Sequence, residues 1–131
     1  MQANGSFLVD TNVVIALFNG EIGVEEKFNG ADEINFSVII EGELIYGAKH
    51  SRRSEENIQQ VQDFRSECKL LLIDEETAYL YAEIKLQLRR QGHPIPENDV
   101  WIAATALQHG LTLVTRDSHF DVVEGLLLEV W

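Results

Sequence analysis

The chain has 131 residues, 45% of them hydrophobic, so it is long enough for one ordinary globular core and too short for two well-buried ones. We therefore expect a single domain over residues 1–131. The formal net charge of −12 argues against a nucleic-acid partner that is bound through lysine and arginine alone. Carboxylates gathered around divalent cations would invert this charge locally, and a small basic protein would be attracted to it.

Three features of the sequence bear on where the protein resides. Its apolar runs fall far short of the roughly 20 residues that a membrane-spanning helix requires. Residues 1–6 lack the basic start and the apolar stretch of a secretory signal. Cys68 is the one cysteine, which excludes an internal disulfide and suits a reducing compartment. We expect a soluble protein of the cytoplasm.

The first part of the chain alternates short apolar runs with polar stops. Residues 7–9 predict a strand that ends at Asp10, and residues 13–18 predict the helix that follows it. A second strand is predicted at residues 33–36. Ser37 then occupies the position of a helix cap and opens a helix that continues to about His50.

The same alternation continues to the end of the chain. Three further helices are expected: an amphipathic one with a wide polar face, one that Gly92 ends, and one that follows Pro94 and Pro96. They occupy residues 51–68, 74–92 and 97–109, and the remaining strands are predicted at residues 70–73, 111–115 and 126–130. Strands separated by helices indicate an α/β fold with a mostly parallel sheet, whose ligands bind beyond the carboxyl ends of the strands.

Two aspartates follow strands of this predicted sheet. Asp10 comes directly after the first strand, and Asp117 follows the strand at residues 111–115 with only Arg116 between. Both carboxylates are therefore expected at the carboxyl edge of the sheet, where they face one crevice. An aspartate at such a position also commonly caps the next helix or turn, and the sequence leaves that alternative open.

Two further acids lie on the apolar faces of predicted helices. Glu43 shares a face with Ile39 and Tyr46, whereas Glu41 falls on a different face and is expected to be solvated. Asp99 lies in the first turn of its helix, where the helix dipole favours an anion and where a capping role is equally plausible. Convergence of these acids with Asp10 and Asp117 would require a neutralising cation, and oxygen ligands suit Mg²⁺ or Mn²⁺.

The order and spacing of these segments resemble the PIN-domain family, and more narrowly the VapC-type toxins of type II toxin-antitoxin pairs. The resemblance covers nearly the whole chain and is weakest at residues 51–69. Four segments carry it: FLVDTN at residues 7–12, SVII at residues 37–40 leading to ELIYG at residues 43–47, NDVWIAATA at residues 98–106, and LVTRD at residues 113–117 with Phe120.

The resemblance implies a three-layer α/β/α fold and a metal-dependent ribonuclease. Mg²⁺ or Mn²⁺ would be held by Asp10, Glu43, Asp99 and Asp117, and a metal-activated water would cut an RNA phosphodiester. It also implies a cognate antitoxin and a homodimer. Asn12 and Thr115 are expected to support the site through hydrogen bonds, although a turn role is as plausible for each. The family usually has small or apolar residues where this chain has Glu41 and Gly42, so an extra acid is expected near the site.

RNA contacts are harder to locate in so acidic a chain. Basic residues cluster at residues 49–53 and 89–93, and Arg116 is a third candidate, although charge runs of this kind are more often solvated faces. Four aromatic side chains offer surfaces on which bases stack, unless their helical spacing places them in the core. They are Tyr46, Tyr79, Tyr81 and Trp101.

Two other interpretations compete with the ribonuclease. An α/β phosphatase would use Asp10 as a nucleophile, but the chain has Asn12 where such enzymes share a second acid. A non-catalytic PIN-like binding module would be favoured by a missing carboxylate, and the sequence retains all four.

Overall fold

The computed structural model describes residues 5–131, and it contains five strands and six α-helices within that range. The strands are β1 (Ser6–Val9), β2 (Glu33–Ser37), β3 (Lys69–Leu71), β4 (Thr112–Val114) and β5 (Leu128–Glu129). The helices are α1 (Thr11–Phe18), α2 (Ile22–Gly30), α3 (Val38–Lys49), α4 (Ser54–Glu67), α5 (Glu75–Gln91) and α6 (Glu97–His109). A short 3₁₀ helix spans Ser118–Val122. The expectation about a secretory signal falls mainly on residues 1–4, which lie outside the described residues.

The strands form one parallel sheet in the order β3-β2-β1-β4-β5, with helices packed around it in a three-layer α/β/α arrangement. From β1 the chain moves outward through β2 and β3 on one side, and later through β4 and β5 on the other. The direction of winding therefore reverses between β1 and β4. In doubly wound sheets this reversal opens a crevice at the carboxyl ends of the strands, which is the usual ligand site.

Fully buried apolar side chains of the central strands and their neighbouring helices form the core. Leu8 and Val9 of β1, Leu113 and Val114 of β4, and Phe36 of β2 have no exposed surface. Short runs of this kind are what a sheet covered on both faces requires. The core thus fixes the ends of β1 and β4 side by side, and Asp10 N–H extends their ladder by donating to the carbonyl of Val114 at 2.9 Å.

The predicted helix ends at Ser37 and Gly92 are confirmed. The Ser37 hydroxyl accepts a hydrogen bond from Ile40 N–H at 3.2 Å, and Gly92 ends α5 with a left-handed φ of 73° that a side chain would strain. Within residues 5–131, none of the helices combines the length and the apolar character needed to cross a membrane.

The sequence pattern missed two elements, α2 and the 3₁₀ helix. Helix α2 buries only Val24, begins without a side-chain cap at Glu21, and contains two glycines, so it shows neither an apolar periodicity nor a capping signal. The 3₁₀ helix is too short to show a periodicity. The last strand is also shorter than the predicted residues 126–130, since only Leu128–Glu129 pairs with β4.

Candidate active site

Asp10 lies at the end of β1, where it both caps a helix and faces the crevice. Its Oδ1 accepts a hydrogen bond from Thr11 N–H at 2.8 Å at the start of α1, and its Oδ2 accepts one from the Thr115 hydroxyl at 2.7 Å. Only 5% of the residue is exposed. Burial raises the pKa of Asp10, against the lowering effect of these two hydrogen bonds, and the charges of Glu43 and Asp117 raise the pKa further.

Residues after β4 position Asp117 beside Asp10. Thr115 joins the two aspartates, because its hydroxyl donates to Asp10 and accepts from Asp117 N–H at 3.0 Å. Asp117 in turn caps the 3₁₀ helix by accepting from His119 N–H at 2.9 Å. The side chain of Asn12 accepts from Arg116 N–H at 3.2 Å and lies 3.5 Å from Asp10 Oδ2. Thr115 and Asn12 therefore hold the ends of β1 and β4 together, as a supporting role requires.

Glu43 reaches the crevice from the middle of α3. The Thr11 hydroxyl donates a short hydrogen bond to Glu43 Oε1, and the Asn98 side-chain amide donates to Glu43 Oε2 at 3.0 Å. These two donors come from α1 and α6, so Glu43 links three helices at the crevice. Neither Thr11 nor Asn98 was recognised from the sequence as part of the site.

Asp99 lies in the first turn of α6 and is the most perturbed acid of the crevice. Burial, together with the charges of Asp10, Asp117 and Glu43, raises the pKa of Asp99 to about 6. A hydrogen bond from His119 opposes it. Because these charges raise the pKa of Asp99, the four carboxyl groups lie close enough to repel one another. This is the convergence that the sequence suggested.

The four acids line one open cavity of about 690 Å³. No lysine or arginine among residues 5–131 lines this cavity, and its other lining residues are uncharged. They are Thr11, Asn12, Ile15, Val38, Ile39, Gly42, Tyr46 and Asn98. Carboxylates that repel one another without a basic neighbour form an oxygen-rich donor set suited to a hard divalent cation. The residues present therefore fit Mg²⁺ or Mn²⁺.

His119 is a further group of this site that sequence reasoning missed. Its Nδ1 lies 2.9 Å from an Asp117 carboxylate oxygen and 3.4 Å from Asp99 Oδ2. The available signal was its position two residues after Asp117, in a segment whose 3₁₀ structure was not predicted. Asp99, Asp117 and His119 each offer one ligand atom, and these atoms all lie within 4.8 Å of one another.

Two expectations about neighbouring charges are wrong. Glu41 is not solvated: its side chain is 15% exposed and forms an ion pair of 3.1 Å with Arg65 of α4. It does not line the crevice, so it adds no acid to the site. Arg116, the third candidate for RNA contact, donates to Glu21 at 2.7 Å and to the Trp131 carbonyl at 3.0 Å, and its contact with RNA stays a prediction. Arg65 is distant in sequence from Glu41, and Glu21 is distant from Arg116, so the sequence pattern does not predict either ion pair.

The four aromatic candidates separate into three environments. Tyr46 is 69% exposed and lines the acidic crevice. Tyr79 is equally exposed, at 70%, but does not line that crevice. Tyr81 stacks on Trp101 with ring centroids 3.9 Å apart, which joins α5 to α6. Only Tyr46 therefore combines an exposed ring with proximity to the acids.

Comparison with known proteins places the chain in a family. The family model for the PIN domain matches residues 7–126. Ribonuclease VapC2 of Haemophilus influenzae is 36% identical over 128 residues, covering 95% of this chain and 97% of the relative. The tRNA(fMet)-specific endonuclease VapC of Shigella flexneri is 35% identical over the same length and coverage.

A solved structure extends this similarity to three dimensions. The crystal structure of DNA-bound VapBC from Salmonella typhimurium superposes with a TM-score of 0.90 at 32% identity, covering 96% of this chain and 98% of that one. These relatives are more than 30% identical to the chain over nearly the full length of both proteins, and the family model covers residues 7–126. The chain belongs to the PIN-domain family and, within it, to the VapC proteins.

Proposed function

We propose that this protein is a metal-dependent endoribonuclease and acts as the toxin of a toxin-antitoxin pair. The observation that carries the proposal is the convergence of Asp10, Glu43, Asp99 and Asp117 on one crevice at the carboxyl ends of β1 and β4. Relatives named as ribonuclease and as tRNA-specific endonuclease, which match over nearly their full length, support RNA as the substrate.

The four carboxylates are proposed to hold Mg²⁺ or Mn²⁺ as catalytic ligands. Bound there, such an ion would activate water for attack on the phosphodiester and stabilise charge on the phosphoryl oxygens. The residues of this chain fix the ligands: Thr115 and the Thr11 amide hold Asp10, and Asn98 holds Glu43. Because the carboxylates of Asp10 and Glu43 are already oriented by donors from other elements, little ordering of these two side chains is left for metal binding.

The surface of α3 offers RNA a route to this crevice. Glu43 and Tyr46 line it, and the Tyr46 ring stacks parallel to His50 at 5.8 Å, one turn further along the helix. The basic cluster of residues 49–53 begins at that point, and Lys49, Arg52 and Arg53 are exposed. We propose that this cluster contacts the phosphates and that Tyr46 stacks on a base, because exposed rings beside basic groups suit single-stranded RNA.

The remaining properties follow from membership of the VapC group. A cognate antitoxin is proposed as the partner, supported by the similarity to VapBC from Salmonella typhimurium and by the charge of −12, which attracts a basic segment. A homodimer and a location in the cytoplasm are proposed on the same family basis. The dimer is checked by light scattering of the purified chain.

The two competing interpretations lose support at this site. A nucleophilic Asp10 would share its crevice with three further carboxylates that repel an anionic phosphate, and Asn12 stands where α/β phosphatases share a second acid. A binding module without activity would not need to keep four carboxylates in one crevice, because each negative charge raises the free energy of ionising its neighbours.

The experiment that tests this function is expression of the protein in bacteria without its antitoxin. Wild type is expected to arrest growth, and Asp10→Asn, which keeps the shape of the side chain and removes its charge, is expected to abolish the arrest. Asp121→Asn is the matched control, because Asp121 is an exposed aspartate outside the crevice and its replacement should leave toxicity intact. Undiminished toxicity of soluble Asp10→Asn protein would refute the proposal.

A further inference from the structure

At the edge of the crevice, beside Asp99 and Asp117, lies a nitrogen donor that the four-acid site does not use. His119 projects from the 3₁₀ helix with its side chain 51% exposed, and its Nδ1 faces the carboxylates of both Asp99 and Asp117. Its backbone is held in place, because its N–H donates to Asp117 and the adjacent Phe120 is fully buried. The ring is therefore anchored at the crevice and remains accessible to an ion from solvent.

The distances around His119 match those of ligands that share one ion. With metal–ligand bonds of about 2.1 Å in octahedral geometry, neighbouring ligand atoms are separated by about 3 Å. Nδ1 lies 2.9 Å from an Asp117 oxygen and 3.4 Å from Asp99 Oδ2. An imidazole with its proton on Nε2 presents a lone pair at Nδ1. His119 Nδ1 can thus occupy a coordination position adjacent to those of Asp117 and Asp99, and the three ligand atoms lie within 4.8 Å of one another.

We propose that His119 is a nitrogen ligand of the ion held by Asp99 and Asp117, and that it shifts the preference of this site from Mg²⁺ toward first-row transition ions such as Mn²⁺. The inference rests on the metal site of the proposed function and deepens it. Carboxylate oxygens bind Mg²⁺ and Mn²⁺ alike. Mg²⁺ is a hard cation that takes oxygen ligands, whereas the affinity of a site that includes a nitrogen ligand rises along the first-row transition series from Mn²⁺ onward. A single histidine ligand among the carboxylates would therefore make the site bind one of these two divalent cations more tightly than the other.

A hydrogen bond from His119 to Asp117 is the competing role for this side chain, and it requires Nδ1 to carry the proton. Such a bond would orient a ligating carboxylate and would also change metal affinity, typically by 10–100-fold. Affinity alone does not separate the two roles. The contact hyperfine coupling between the bound ion and a ring nitrogen does, because unpaired spin reaches that nitrogen only through a metal–nitrogen bond.

The test is pulsed electron paramagnetic resonance of the full-length protein with one equivalent of Mn²⁺. We expect ¹⁴N modulation in wild type and its loss in His119→Gln, which keeps a polar side chain without an imidazole. In titrations, His119→Gln should bind Mn²⁺ about tenfold more weakly and change Mg²⁺ affinity less than twofold. His93→Gln is the control, since His93 is exposed and outside the crevice.

Each alternative outcome overturns a different statement. Bound Mn²⁺ without ¹⁴N modulation in wild type excludes His119 as a ligand and leaves the four-carboxylate site intact. Equal weakening of Mn²⁺ and Mg²⁺ in His119→Gln excludes its role in metal preference. Failure of wild type to bind Mn²⁺ at all would remove both this inference and the metal site of the proposed function. The wild-type spectrum needs no variant, so the result does not depend on how well His119→Gln folds.

Discussion

Two cavities of this molecule have the same volume, about 690 Å³ each, and opposite chemistry. The acidic crevice contains four carboxylates and lies where β1 and β4 end. The second cavity, the α5–α6 groove, is apolar at Leu86, Leu88, Pro94, Ile95 and Val100, with Lys85 and Arg89 among its other lining residues. Size alone would rank the two as equal candidates for an active site.

The difference lies in how each cavity is built. The crevice follows from the reversal of winding in the sheet, which brings acids from two strand ends and two helices to one point. The α5–α6 groove is a surface between two adjacent helices joined by the stacked Tyr81 and Trp101. The gathering of carboxylates that repel one another, rather than the cavity volume, makes the crevice the candidate active site.

The largest effect is expected from Glu43→Gln, which keeps the size of the side chain and removes its charge. We expect RNA cleavage to fall at least about 100-fold, because a metal ligand is lost. Glu41→Gln is a matched control on the same helix, since Glu41 pairs with Arg65 outside the crevice. In the α5–α6 groove, Leu86→Ala should leave the cleavage rate within about twofold of wild type. The rates are measured with a fluorescent RNA substrate, and a loss in Glu41→Gln equal to that in Glu43→Gln would contradict the comparison.

A smaller effect is expected from the exposed aromatic residue at the crevice. Tyr46→Ala should raise KM for RNA about tenfold with little change in kcat, because stacking on a base is worth about 1–3 kcal/mol. Tyr79→Ala should have no effect, since Tyr79 is as exposed as Tyr46 but lies away from the crevice. Steady-state kinetics with one RNA checks both variants. An unchanged KM in Tyr46→Ala, together with weaker antitoxin binding, would assign Tyr46 to the protein interface instead.

The smallest effect concerns the stability of the metal-free protein. The pKa of Asp99 rises from its ordinary 3.8 to about 6 on folding, so the ionised form is destabilising in the native state above about pH 6. That cost is absent below the unfolded pKa and grows as pH rises through the folded one. In EDTA, Asp99→Asn should therefore gain on the order of 1 kcal/mol at pH 7.5, after allowance for solvent in the open crevice. The gain should shrink at pH 4.5.

Thermal unfolding at the two pH values measures this change, which corresponds to about 3 °C. Asp121→Asn serves as the control, because that exposed aspartate is outside the crevice. An equal gain at both pH values would mean that relief of charge on Asp99 is not the cause.

Most of the architecture could be predicted from the sequence because its signals are local. An apolar run followed by Asp10, and Pro94 and Pro96 before Glu97, mark the strand and helix ends that bear the acids. The contacts that complete the site could not be predicted, since they join distant segments. The bond from Asn98 to Glu43 spans 55 residues, and the pairing of Glu41 with Arg65 depends on how α3 packs on α4. His119 was missed because a five-residue 3₁₀ helix leaves no periodic pattern.

The most direct test of the central claim is RNA cleavage by purified wild type and Asp99→Asn protein in the presence of Mg²⁺, Mn²⁺ or EDTA. A mixture of tRNA and mRNA fragments is the substrate. The four-carboxylate site predicts cutting by wild type with added metal, none in EDTA, and none by Asp99→Asn under any condition. Cleavage that persists in EDTA, undiminished cleavage by the variant, or no cleavage with either metal would contradict it.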